Sequence, residues 1–103
     1  MAVYSCSDQF PADERFGLTA QVRRAAVSVP SNIAEGWGRQ SRSELLRFLE
    51  MARGSCYELQ TQLMIAEGLG YIDSDSAVHE QVDEVERVLS GLMRSLQEKA
   101  DRD

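Results

Sequence analysis

Two runs of apolar residues, spaced alternately by three and four positions, constrain this 103-residue chain more than any other feature. Leu45, Leu49, Ala52, Cys56, Leu59, Leu63 and Ala66 form the first; Val78, Val82, Val85, Leu89, Leu92 and Leu96 form the second. An α-helix turns once every 3.6 residues, so this spacing gathers one side chain per turn onto a single face. Such a heptad seam packs best against another helix.

The remaining pattern agrees. Ser41-Arg42-Ser43-Glu44 reads as a capping box that opens a helix over 42–69. Gly70 closes it, with Tyr71 folding back on Ala66. Phe48, Met51, Ile65 and Leu69 make a second apolar line on this helix, widened by Leu46, Tyr57 and Met64. That helix therefore needs covering on two sides. Asp73-Ser74-Asp75-Ser76 supplies caps and first-turn acids for a helix over 74–97, followed by a polar tail expected to fray. Upstream, Leu18, Val22, Ala25, Ala26, Val29 and Ile33 share one face of a helix over 16–36. Thr19 sits at its cap or in its first turn. Pro30 lies inside that pattern and predicts a kink or an overwound turn near Ala26–Pro30. Gly36-Trp37-Gly38 ends the helix, a glycine there being free to take positive φ. Residues 1–10 are the remnant of a first helix, and Pro11-Ala12-Asp13-Glu14 is a connection. With no β-alternating stretch, the expected fold is all-α. It is one domain over 1–103, an antiparallel up-down four-helix bundle with a short or truncated first helix.

Composition excludes several function classes. The longest uninterrupted aliphatic stretch, Leu63-Met64-Ile65-Ala66, is far short of the roughly 20 residues a bilayer demands, so no membrane role is expected. The start lacks a basic region and a long apolar core, which makes the cytoplasm the default location. Cys6 and Cys56 lie far apart without a CxxC motif, so neither a metal site nor a disulfide follows; Cys56 reads as a small buried hydrophobe. The net charge of −6 disfavours general attraction to nucleic acid. It is unevenly spread, however. Residues 15–56 hold seven arginines against three acids, whereas residues 57–103 hold eleven acids against four bases.

No arrangement of residues carries catalysis. The single histidine, His79, reads as a solvated residue on an acidic helix, and no serine has a nucleophile context. Glu58 and Gln62 read as a buried polar pair that specifies a core or a subunit contact, and Glu35 as one half of an ion pair with a nearby arginine. No catalytic residue, metal ligand or cofactor is assigned, and an enzyme is not expected. Two binding surfaces are. Arg23, Arg24, Arg39 and Arg42 could hold a nucleic-acid backbone around the turn between the second and third helices. The i,i+3 pairs Glu44–Arg47, Arg47–Glu50 and Glu50–Arg53 are expected to neutralise the neighbouring stripe. Trp37, Phe48, Met51 and Tyr57 are candidates for an oligomer interface.

Phe10-Pro11, then Glu14-Arg15-Phe16-Gly17-Leu18-Thr19, and the run Gln21-Val22-Arg23-Arg24-Ala25-Ala26-Val27-Ser28-Val29-Pro30-Ser31-Asn32-Ile33-Ala34-Glu35-Gly36-Trp37-Gly38-Arg39 form one long match to a known pattern. It continues through Glu44, Phe48-Leu49, Ala52, Gly54-Ser55, Glu58-Leu59, Thr61-Gln62-Leu63 and Leu69-Gly70-Tyr71. Over about residues 10–96 the chain resembles the bacterial 23S rRNA intervening sequence proteins, a family that includes accessory proteins of diversity-generating retroelements. The resemblance implies a left-handed up-down bundle assembling as a ring-like homopentamer. In the retroelement relatives a basic pentamer binds a reverse transcriptase and nucleic acid; for most members the molecular function is unknown. It also implies structural or interfacial roles for Arg23, Arg24, Asn32, Glu35, Gly36, Gly38 and Arg39, and no catalytic role.

Two departures stand out. Relatives begin with a full first helix, where this chain has about nine residues before the Phe-Pro turn. Either Met1 is a late start or a neighbouring subunit supplies the cover. The acidic balance also differs from the basic retroelement relatives. The expected function is a non-enzymatic oligomeric scaffold with a possible protein partner; the alternative is RNA or DNA binding through the arginine face.

Overall fold

The computed structural model describes residues 2–102. Four α-helices follow one another: α1 Ala2–Ser7, α2 Leu18–Trp37, α3 Arg42–Gly68 and α4 Ala77–Arg102, with a 3₁₀ turn at Ala12–Glu14 between the first two. No strand occurs among the described residues, and no helix there is long and apolar enough to cross a membrane. The molecule is a thin layer of about 51 × 24 × 17 Å, with α3 in the middle, α2 on one side and α4 on the other. Short connections make α3 antiparallel to both neighbours. α1 packs on α2 and α4, across the layer from α3.

Every residue of the α3 seam is buried. On α2, Val22, Ala25, Ala26 and Val29 join that core, and on α4 Val78, Val82 and Leu89 do. Val85, in the middle of the α4 seam, stays 40% exposed, lining a groove between α2 and α4.

Caps follow local chemistry. Ser41 Oγ accepts the Glu44 amide at 3.1 Å and opens α3, while the Glu44 carboxylate turns to Arg39 instead of closing the box. Gly70, at φ 79°, lets the Tyr71 amide bond the Ala66 carbonyl at 2.9 Å, which is the helix stop expected from the sequence. Tyr71 also tethers the lower end. Its hydroxyl donates to Glu14 Oε2 at 2.7 Å, and its ring lies 5.5 Å from that of Phe10.

Several local expectations are corrected. The start of α2 is capped by Glu14, whose Oε1 accepts the Leu18 amide, and Thr19 takes the second of its two expected places, buried in the first turn. The helix begins at Leu18, leaving Phe16 89% exposed outside it. α2 stays helical through Pro30, which is exposed. Gly38 keeps φ −78°, so the glycines at the end of α2 are not there for a left-handed turn. α4 starts at Ala77, since Asp73–Ser76 forms the turn, and it stays helical to Arg102 through the good helix formers after Leu96. His79 is partly buried, its Nε2 3.8 Å from Glu67 Oε2 and without a hydrogen bond.

Candidate functional site

A groove opens beside α1. α1 runs antiparallel to α2, with Tyr4 and Ser7 beside Arg23 and Ala2 and Val3 beside Ala26, Val29 and Pro30. Above Ala2, no described residue fills the space between α2 and α4. The result is a groove of about 390 Å³, floored by Cys56 and Leu59 of α3. Ala26, Val29, Pro30 and Ile33 form one wall, and Val78, Val82 and Val85 the other, with Gln81 as the only residue there carrying a polar side chain. The same helical faces carry on upward. Trp37, four residues beyond Ile33, and Val88, three beyond Val85, are 59% and 64% exposed.

Cys56 is inert at the groove floor. Burial pushes its thiol up to about 11, and the Glu86 charge adds to the effect. Cys6 is likewise buried and free, with its thiol raised by burial. No group of three or more His, Cys, Asp or Glu side chains among the described residues is placed to hold a metal.

A second apolar face lies on the far side of the layer. Met51 and Ile65, two heptads apart, point outward from α3 and are exposed, as is Leu69 at its end. Tyr57 and Met64 are exposed on the flank toward α4. Tyr57 donates its hydroxyl to Glu86 at 3.0 Å, and hydrogen bonds from Ser90 and Tyr57 hold the Glu86 carboxyl below the usual range.

The four arginines singled out from the sequence do not form one cluster. Arg23 bonds Ser7 Oγ at 2.8 Å and Asp8 at 2.6 Å and lies over the Tyr4 ring, beside α1. Arg24, on another side of α2, pairs with Glu58 and Gln21. Arg39 is at the opposite end of the helix. It bonds Glu35 at 2.9 Å, approaches Glu44 at 3.8 Å and stacks over Phe48, so the expected Glu35 ion pair is present. Arg42 opens α3 and is exposed. The expected i,i+3 pairs along α3 do not close: Arg47 lies over the Phe48 ring, and Arg53 reaches Ser90. Glu58 and Gln62 do pair, through Gln62 Nε2 at 3.1 Å, with Gln62 buried.

The four interface candidates separate as well. Trp37 is exposed at the end of α2, Met51 is exposed on α3, Tyr57 reaches α4, and Phe48 is buried against α2. Sequence reasoning missed the reason for the last placement. A Cβ on Gly36 would lie 2.9 Å from Phe48 Cβ and 3.1 Å from Leu45 Cδ1, so the missing side chain of Gly36 lets α2 and α3 pack closely there. The neighbouring polar residues serve the same contact. Asn32 donates to the Ser28 carbonyl at 2.8 Å, and Ser55 donates to Ser28 Oγ across the interface at 2.8 Å. The Asn32–Arg39 stretch is therefore a joint between two helices.

A search among curated proteins returned no match. The model of one protein family, the 23S rRNA-intervening sequence proteins, matches residues 1–91, and with that joint inside the matched region the chain belongs to this family.

Proposed function

We propose that this protein is a non-enzymatic scaffold that assembles with copies of itself through the outward face of α3. The observation that carries this reading is the exposure of Met51, Ile65 and Leu69, which share one side of the central helix α3. Large apolar side chains aligned at helical spacing and left to solvent mark an association surface. The family resemblance supports a closed ring of five. In such a ring each chain uses one surface to meet a different surface of its neighbour, and the assembly ends when the rotation closes. The cytoplasm suits the protein, since both thiols are free and buried.

The test uses two exposed positions whose replacement leaves the core intact. Met51→Glu combined with Ile65→Glu should reduce the sedimenting particle to a smaller species while the helical circular dichroism is retained. A doubly substituted chain that keeps the wild-type mass would overturn this choice of surface.

A further inference from the structure

We infer that Glu58 is the polar centre of the α3 association surface, where its carboxylate accepts a cationic side chain from the neighbouring copy. The inference rests on the self-assembly proposed above and names the contact that selects its register.

Spacing places the carboxylate there. Met51, Glu58 and Ile65 follow one another at seven-residue intervals along α3. Seven residues bring a helix back to within about 20° of the same direction. A second copy that covers Met51 and Ile65 therefore also covers Glu58, whose side chain is 43% exposed in the single chain.

The hydrogen bonds of this group are half made. Glu58 Oε1 accepts from both Arg24 Nη2 and Gln62 Nε2, each at 3.1 Å. No described residue donates to Glu58 Oε2. Gln62, the buried member of the group, has its own Oε1 without a donor. Arg24 does not complete the set, since its Nη2 is shared between Glu58 and Gln21. Water serves these oxygens while the surface is open. Once it is covered, a carboxylate is stable only if it is paired and its remaining lone pairs are bonded. What is missing is a donor, and the charge calls for a cation. The same chain carries such groups to spare: Arg94 and Lys99, exposed on α4, have no hydrogen bond, ion pair or ring contact among the described residues. One polar pair set within an apolar line penalises every register that leaves it unmatched.

The experiment measures the dissociation of the assembled full chain in dilution series, by sedimentation at low and at high salt. Glu58→Gln keeps the shape and the bond to Gln62 but removes the charge. It should raise the dissociation concentration roughly tenfold or more and flatten its salt dependence, with the helical circular dichroism unchanged. Glu58→Leu extends the apolar line and should also weaken assembly, because it leaves the neighbour's cation buried and unpaired. Arg24→Gln removes only the exposed pair within the chain and should change dissociation by less than about threefold. Assembly of Glu58→Leu as tight as that of the unaltered chain or tighter would overturn the inference. So would an Arg24→Gln effect as large as that of Glu58→Gln, the carboxylate then acting through Arg24. Assembly that depends on Met51 and Ile65 but not on Glu58 sinks the inference alone, whereas a chain that is monomeric throughout sinks self-assembly and the inference with it.

Discussion

Adding one methyl group at Gly36 should destabilise the protein, although the same change in a free helix stabilises. Alanine is the better helix former by roughly 0.5–1 kcal/mol, so Gly36→Ala would gain about that much if α2 stood alone. In the fold the new Cβ lies 2.9 Å from Phe48 Cβ and 3.1 Å from Leu45 Cδ1, well inside the roughly 3.5–4.0 Å at which carbons attract. The clash at Phe48 involves the atom next to its backbone, so a rotamer change cannot relieve it, and the helices must separate. Forcing a methyl group into a packed contact costs roughly 1–3 kcal/mol, and subtracting the propensity gain leaves a net loss of up to about 2.5 kcal/mol. For a domain of this size each kcal/mol lowers Tm by roughly 4–8 °C. Gly54→Ala is the control: it lies in α3 with open space around its Cβ position and should raise stability by roughly 0.5–1 kcal/mol. Urea unfolding followed by circular dichroism, at one fixed protein concentration, compares the three chains. A Gly36→Ala chain as stable as Gly54→Ala would refute the close-approach argument.

Three further outcomes follow from the packing. Ser55→Ala removes the hydroxyl that bridges to Ser28 and should cost about 1 kcal/mol in the same unfolding assay, while Ser43→Ala, at an exposed site, should cost less than half of that. Cys56 should react with iodoacetamide far more slowly in the folded chain than in urea. Because its folded pKa of about 11 lies above the ordinary thiol value of 9.0, the folded state holds its proton longer, and this stabilising contribution is present below pH 9 and lost as pH rises to about 11. Tyr71, raised chiefly by its hydrogen bond to Glu14, adds to that alkaline loss, so Cys56→Ala should shrink the slope without abolishing it. With Arg23, Arg24 and Arg39 held by acids and set apart, fluorescence anisotropy should show no binding of a structured RNA or a single-stranded DNA at physiological salt; micromolar binding lost on charge reversal at Arg39 and Arg42 would restore the nucleic-acid reading.

Much of the fold is legible in the sequence because helix periodicity reports burial directly. The α3 seam from Leu45 to Ala66 is buried at each of its positions, and the Gly70–Tyr71 stop is read from residue types alone. Where the pattern misleads, tertiary context is responsible. Val85 fits its seam perfectly yet remains exposed, because periodicity says which face is apolar and not whether a neighbour exists to cover it. Gly36 reads as a helix terminator, and only the path of α3 reveals that its missing side chain makes room for Phe48. The arginines look like a cluster in the one-dimensional sequence. A helix of twenty residues carries Arg23 and Arg39 to opposite ends, and the acids that bind them come from the turn after α1, from α2 itself and from α3. The groove was equally hidden, since it is made by the absence of contact between two helices whose sequences are separated by all of α3.

The central claim is that the apolar faces left to solvent are association surfaces, and the mass of the unaltered particle tests it most directly. Light scattering coupled to size exclusion, at micromolar protein, should give a mass several times that of one 11.5 kDa chain and close to five. A single 11.5 kDa species across that concentration range would contradict it.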